Sequence, residues 1–411
     1  MKVLFYMVIQ KSQLKKSLAM SWQWFTKSGV MLPEDGSWGL GERVMLTADN
    51  EAMDHIITSF PAWTPHKDYY IIEQRRADCN MQAAFLFLLM HKLDILPAPC
   101  RKTAENILDF LYYRSGLLNR AGNSPVSGLW DWSHIKRSHV IYFDDDSWML
   151  FLAWKIAKKF PALDRKYGMK KFALLLAERL LPGAVRYFKG EANPEKEKEE
   201  NSFYWQGKIL LPHWGSLVCM ALAETYKETG DEKYLSFIEM YEKYLVENAD
   251  TFTTSEFGYA LIGSTCACTA TGSKASLKCA ELFADKILKI MDPETGCIPS
   301  EHYEAPSGKS LADTIYTLNW AVLGLQNMAQ INNKYAEAYK KLLSLLLKIQ
   351  DRSRASFLYG CWRGMYDMES GKWGGGDRFE GGANSIYTGW TNAPIAWACA
   401  FELLNSSLNR I

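Results

Sequence analysis

The sequence predicts an all-α fold, an (α/α)6 barrel (toroid) of six helical hairpins with long loops on one face. Three observations carry this expectation. Apolar residues recur at helical spacing along most of the chain, and helices are joined in pairs by turns of two to six residues. The connections between pairs are long, over 116–144, 189–212, 249–257, 292–310 and 352–392.

The first helix covers 11–29 and stops near Gly29. An irregular stretch to about 75, broken by Pro61 and Pro65, precedes a helix with the apolar face Ala77, Met81, Ala84, Phe85, Leu88 and Leu89. Its partner runs over about 101–115, after the turn Leu96-Pro97-Ala98-Pro99. Further pairs follow at 145–159 with 166–188, 213–229 with 231–248, 258–270 with 274–291, and 311–330 with 334–351. A last helix, 393–407, starts behind Asn392 with Pro394 in its first turn, where a missing N–H costs nothing. It lacks a following partner and 11–29 lacks a preceding one, so pairing them closes a ring. An open superhelical solenoid of similar hairpins is the structural alternative. A single domain over 1–411 follows, with residues 1–10 as an N-terminal extension.

Composition excludes several classes. With 47 basic and 46 acidic side chains the net charge is +1, which offers nucleic acid no electrostatic footprint. No stretch approaches the ~20 apolar residues of a membrane span. The apolar run Val3–Ile9 is short, is followed by Lys11, Lys15 and Lys16, and has no small-x-small cleavage site, so a cytoplasmic protein is expected. The nine cysteines lack framework spacing and read as free, buried thiols in a reducing compartment. Cys266-x-Cys268 reads as tight helix packing. No metal and no cofactor are expected. There is no GxxxxGK[ST], GxSxG, HExxH or zinc spacing, and Asp144-Asp145-x-x-Trp148 lacks the last acid of a DDxxD magnesium motif.

Fifteen Trp and 21 Tyr exceed ordinary core needs and point to rings at a ligand surface. In a toroid each inner helix begins on the face that carries the long connections. Arg76, Asp78, Asp144 to Asp146, His213, Trp214, Tyr259, Asp313, Thr391 and Asn392 should therefore ring one mouth. The loops add Trp130, Trp132, His134, Arg137, His139 and Tyr142, then Phe203-Tyr204-Trp205, and a glycine-rich stretch with Asp377 and Glu380. The run Glu195–Glu200 reads as a solvated, mobile loop tip.

The segment Tyr142-Phe143-Asp144-Asp145-Asp146-Ser147-Trp148 is the densest chemistry in the chain. Asp144 fits an N-cap, and acids in a first turn suit the helix dipole. One or two acids satisfy that need. Three in succession repel one another unless a pKa is raised or a ligand is met. Successive helical residues diverge by ~100°, so two can face a cavity while the third caps. The candidate catalytic residues are Asp145, Asp144, Asp146 and Asp313, the last at capping-box spacing after Ser310. The candidate sugar contacts are Trp130, Trp132, Trp148, Tyr204, His213, Trp214, Asp377, Glu380 and Trp390.

On these residues the chain resembles the six-hairpin glycosidases. Asp144-Asp145-x-x-Trp148, followed by Leu152-Ala153, is similar to the adjacent-aspartate motif of endo-α-1,6-mannanases, which implies one acid as nucleophile and the other as acid/base. Asp146-Ser147-Trp148-Met149 resembles the catalytic segment of unsaturated glucuronyl and rhamnogalacturonyl hydrolases, where a single Asp protonates a vinyl ether. Asp313-Thr314-Ile315-Tyr316 echoes that pattern. The implied activity is glycoside hydrolysis of an oligo- or polysaccharide without metal or cofactor. Asp145 is then the general acid, and Asp144 or Asp146 the base or nucleophile. A non-catalytic glycan-binding toroid is the first alternative. A sugar epimerase is the second, and it would pair His213 with His134 or His139.

Overall fold

Two kinds of helix are legible in the burial pattern, and their difference builds the architecture. The computed structural model describes residues 9–31, 33–47, 58, 62–135, 139–302, 305–308, 310–375 and 380–411. Its helices are α1 (Lys11–Lys27), α2 (Ala77–Lys92), α3 (Pro97–Asp109), α4 (Phe143–Lys159), α5 (Pro161–Tyr167), α6 (Met169–Phe188) and α7 (Pro194–Asn201). They continue as α8 (Pro212–Thr229), α9 (Leu235–Glu247), α10 (Thr254–Thr271), α11 (Lys274–Ile290), α12 (Leu318–Ile331), α13 (Ala336–Ile349) and α14 (Ala393–Leu403).

Helices α2, α4, α8, α10, α12 and α14 are buried almost all round, as every residue from Ala77 to Met90 of α2 illustrates. A helix without a polar face needs neighbours on every side. These six supply them to one another, each packing on the next and α14 returning to α2. The partners α3, α6, α9, α11, α13 and α1 are amphipathic: α13 buries Leu342, Leu343, Leu346 and Ile349 and turns Lys348 to solvent. They form the outer ring, and α1 packs on α14 to close the circle between the two ends of the chain. The fold is the (α/α)6 toroid.

The local boundaries differ from the sequence reading where turn chemistry outweighs periodicity. Helix α3 starts at Pro97, which suits a first turn, and runs into a π-helical turn at Phe110–Arg114. Gly168, at φ +66°, divides the expected 166–188 helix into α5 and α6. Helix α10 begins four residues earlier than expected, so Glu256 lies in its first turn. Residues 311–317 are not helical. Leu311–Asp313 pairs antiparallel with Met365–Asp367, and α12 starts only at Leu318. The Glu195–Glu200 run is helix α7 rather than a loop tip: Asn193 caps it by accepting from Lys196 N at 3.1 Å, and Glu197 is buried against Tyr187 and Arg186.

The stretch read as irregular holds a small antiparallel sheet. Strands β1 (Arg43–Leu46), β2 (Trp63–Pro65), β3 (Tyr69–Ile72) and β4 (Ser385–Tyr387) lie in the order β4-β1-β3-β2. Arg43 pairs with Tyr387 across β1 and β4, tying the first long loop to the last. At the C-terminal ends of the inner helices the chain's own tail closes the ring. The Asn409 carbonyl accepts from Lys155 Nζ (3.2 Å) and Lys227 Nζ (3.3 Å), and Leu408 is fully buried. All nine cysteines are free thiols, and all but Cys268 are buried. The aromatic surplus is mostly core, since Trp24, Trp148, Trp320, Trp362 and Trp397 are fully buried.

Candidate active site

The N-terminal ends of the inner helices converge. Arg76 immediately precedes α2, Asp144 and Asp145 lie in the first turn of α4, and His213 and Trp214 in that of α8. Ile315 and Tyr316 come just ahead of α12, and Trp390 sits in a π-helical turn, Thr388–Asn392, that leads into α14. With Trp132, Tyr142, Glu380 and Tyr387 these residues line a cavity of about 180 Å³. Helix N-termini carry unpaired N–H groups and partial positive charge, which favours acidic side chains there.

The three successive aspartates separate by role. Tyr142, extended at φ −109° and ψ 142°, is the N-cap, so Asp144 is not the capping residue and all three acids lie inside the first turn. Asp146 points away from the cavity and accepts from the Trp130 backbone N–H at 3.2 Å, fastening the aromatic loop to α4. Its carboxyl is fully buried, and burial raises its pKa well above the usual range, against the Trp130 N–H. Asp144 and Asp145 line the cavity.

Asp145 belongs to a network with more acid than base. Arg76 Nη2 donates to Asp145 Oδ1 at 2.5 Å, the same guanidinium meets both Asp78 oxygens at 3.2 Å, and Arg76 Nη1 reaches Glu42 Oε1 at 3.2 Å. Arg43 approaches Glu42 at 3.4 Å and Glu380 at 3.0 Å. Two guanidiniums thus face Glu42, Asp78, Asp145 and Glu380, with Asp144 beside them in the same lining. Burial, reinforced by the charges of Asp78 and Asp144, holds the Asp145 carboxyl well above its ordinary pKa despite Arg76.

Asp144 is held differently. Its Oδ2 lies 3.0 Å from His213 Nε2, while its buried Oδ1 has no hydrogen-bond partner among the described residues. The imidazole is sandwiched between Trp214 (4.4 Å, 11°) and Tyr259 (4.6 Å, 7°). From behind, Glu256 accepts from the His213 backbone N–H at 2.6 Å, and burial lifts that carboxyl to about 6. Gly207, at φ +108°, backs onto Trp214: a Cβ there would come within 2.3 Å of the indole.

Glu380 forms the opposite wall. It accepts from Tyr316 OH at 2.6 Å, from Tyr387 OH and from Arg43, whose guanidinium lies 3.8 Å above the Tyr387 ring. Burial works against its charge, but Arg43 and the two hydroxyls outweigh it, and its pKa falls below the usual value. The rings of Trp132 and Trp390 flank Arg76 at 5.7 and 5.5 Å.

The expected site residues therefore divide. Asp144, Asp145, Trp132, His213, Trp214, Glu380 and Trp390 are together at the cavity. Asp313 is not among its lining: one of its oxygens accepts from Ile315 N (2.7 Å) and Tyr316 N (3.1 Å), which turns the chain into α12, and burial lifts its pKa to about 6. Trp130 packs edge-on against Tyr112, and Trp148 stacks on Trp320 at 5.3 Å, so both are core. Tyr204 is half-buried outside the lining. His134 and His139 also lie elsewhere, bonded to Arg75 N (3.0 Å) and Asp131 (3.0 Å), so neither joins His213. Arg137 and Asp377 lie outside the described residues. Arg43 and Glu256 were not foreseen, and Glu42 was only a minor candidate of the first Gly/Trp loop. Arg43 and Glu42 sat in a stretch read as irregular, and Glu256 in a segment read as loop.

No protein-family model matches the chain, and no curated protein does. Solved structures do, over nearly their whole length. A sugar epimerase from a ruminal bacterium is 13% identical, covering 97% of this chain and 99% of that one, with a TM-score of 0.59. The cellobiose 2-epimerase of Bacillus thermoamylovorans is 11% identical over 96% and 99%, at 0.62. An α-1,6-mannanase from Salegentibacter is 11% identical over 96% and 100%, at 0.54. At such identities the likeness is one of fold: the chain has the (α/α)6 toroid fold, on which these epimerases, a mannose isomerase and a mannanase are also built.

Proposed function

We propose that the protein is a glycoside hydrolase acting on an oligo- or polysaccharide, with Asp145 as general acid and Asp144 as the second carboxylate. The observation that carries this reading is the contrast between two neighbouring acids in one cavity. Asp145 sits in a surplus of buried acid that favours its protonated form, so it has a proton to give to the leaving oxygen. Asp144 lines the same cavity, its Oδ2 steadied by His213 and its buried Oδ1 without a hydrogen bond among the described residues, which suits a carboxylate that attacks the anomeric carbon or activates water. Divergent environments for two titratable groups are how one site runs acid and base chemistry together. Trp132, Trp214 and Trp390 supply aromatic walls for the sugar, and Glu380 an anionic acceptor for its hydroxyls. The Salegentibacter mannanase lends support: a variant with two adjacent aspartates replaced by asparagine is inactive and holds α-1,6-mannotriose.

The test is incubation with manno-, gluco-, xylo- and uronide-containing oligosaccharides, reading new reducing ends. Release by the native protein and its loss in Asp145→Asn is the expected result. Unchanged release in that variant would sink the assignment. The His213–Asp144 contact, together with the epimerase neighbours, favours one second reading, proton exchange at a sugar carbon by an epimerase or isomerase. The same incubations in D2O separate the two, because deuterium at C2 without new reducing ends belongs to the second reading alone.

A further inference from the structure

A second cavity, of about 340 Å³, lies beside the first and is lined by Trp38, Glu73, Arg75, Phe110, Arg114 and His134 among others. The two are back to back. Arg76 pairs with Ser133 in an antiparallel bridge, and side chains alternate across extended backbone. Arg76 and Trp132 accordingly line the first cavity, while Arg75 and His134 line the second.

Trp38 is 57% exposed, more than any other large hydrophobic side chain among the described residues. A single exposed apolar residue needs no explanation. An exposed indole on a loop with no slack is another matter. Three consecutive stretches of that loop are held by side chains: Asn106 Nδ2 donates to Asp35 O (2.8 Å), Arg114 Nη2 to Ser37 O (2.7 Å), and Arg75 Nε to Trp38 O (3.1 Å). Asp35 in turn accepts from Ser37 N at 2.9 Å. Gly39 follows at φ +72°, where a Cβ would press to 2.6 Å on the Phe110 ring. The indole leans edge-on to Phe110 at 6.5 Å. Fixing the backbone that carries an exposed aromatic ring before any ligand arrives reduces the entropy cost that binding would otherwise carry.

The charged lining holds two guanidiniums, Arg75 and Arg114, against one carboxylate, Glu73, and Arg114 Nη2 donates to the Ser37 and Asn106 carbonyls (2.7 and 3.0 Å). Arg75 is paired with Glu73, which also accepts from Thr64 Oγ1 at 2.8 Å. His134 Nδ1 accepts from Arg75 N at 3.0 Å, which leaves its proton on Nε2 as a donor. Donors and acceptors beside a fixed aromatic face match a ring with hydroxyls on its edge and C–H groups on its face.

We infer that this cavity is a second carbohydrate-binding site, taking a pyranose residue stacked on Trp38. The ligand class rests on the glycan reading above; the site itself rests on the exposed indole, the fixed loop that carries it and its polar surround.

The test uses the full chain carrying Asp144→Asn and Asp145→Asn, so that no glycan is turned over. Manno-, gluco-, xylo- and uronide-containing oligosaccharides of three to six units are titrated calorimetrically against this protein with Trp38 intact, with Trp38→Ala and with Trp38→Phe. Circular dichroism checks that each variant is folded. Binding of at least one series, weakened tenfold or more by Trp38→Ala and partly recovered by Trp38→Phe, is the expected result. Equal binding by the Trp38→Ala protein, or binding of no oligosaccharide at all, overturns the site. If Trp38-dependent binding is found while the native protein releases no product from any glycan, the hydrolase reading fails and the second site stands.

Discussion

His213 Nε2 stands 3.0 Å from Asp144 Oδ2, on an imidazole clamped between the rings of Trp214 and Tyr259. A ring packed on both faces has little freedom left to lose, so it can fix a carboxylate without a further entropic penalty. Misplacing a reacting group by ~1 Å can cost about 100-fold in rate. His213→Ala should lower kcat by roughly that factor, with a smaller change in KM. Because His213 acts through Asp144, His213→Gln, which keeps a donor near Nε2, should recover part of it. Steady-state kinetics of the two variants provide the check.

The separation of the aspartate triplet predicts unequal consequences. Asp145→Asn and Asp144→Asn should each reduce turnover by about 10²–10⁴-fold, the usual range for a positioned proton-transfer group. Asp146→Asn keeps an acceptor for the Trp130 N–H and should stay within about tenfold of native. Assays of the three single variants on one substrate decide this, and a collapse in the Asp146 variant would contradict the placement described above.

Glu256 makes stability depend on pH in a definite sense. Its folded pKa is about 6 against an ordinary 4.5, mainly through burial, so the folded state holds the proton more tightly than the unfolded one. Between those values the folded protein binds more protons, and stability falls as pH rises. The loss is about 2 kcal/mol, complete above the folded value. Glu256→Gln keeps the acceptor for His213 N and should lack this loss. Urea unfolding of both proteins at pH 4 and pH 7 measures it: the variant should gain on the native protein at the higher pH.

Arg43 neutralises the buried Glu42 and the part-buried Glu380. Removing one partner of a buried ion pair costs about 3–5 kcal/mol because the other charge is left uncompensated. Arg43→Met should therefore destabilise by about that amount, and adding Glu380→Gln should restore part of it. Denaturant midpoints of the single and double variants are the measurement.

At Gly207 the backbone and the neighbouring ring forbid a side chain for separate reasons. Gly207→Ala meets both the positive φ and the Trp214 indole, and should cost about 1–3 kcal/mol. Weakened sugar binding should accompany it, since Trp214 lines the cavity. Intrinsic fluorescence during thermal unfolding, with a sugar titration of the folded variant, tests both parts.

Periodicity alone determined the six hairpins, their order and the closure of the ring by the first and last helices. Helical repeat is a local property, and helices that are apolar all round can only be inner ones. It also placed Arg76, Asp144, Asp145, His213 and Trp214 on a shared mouth, because inner helices begin on one face. What periodicity could not assign was which acid looks into the cavity. Three adjacent aspartates have the same hydropathy, and their directions, ~100° apart, acquire meaning only from what stands opposite each one. For Asp145 that is Arg76, for Asp144 His213, and for Asp146 the Trp130 amide. Asp313 likewise looked like a mouth residue until strand pairing with Met365 fixed it as the acceptor that turns the chain into α12. Glu42 and Arg43 come from the first long loop, Glu380 from the last and Glu256 from α10, and only tertiary packing brings Arg43 to Glu380 and Glu256 to the His213 amide, where burial and neighbouring charge set which carboxyl keeps its proton.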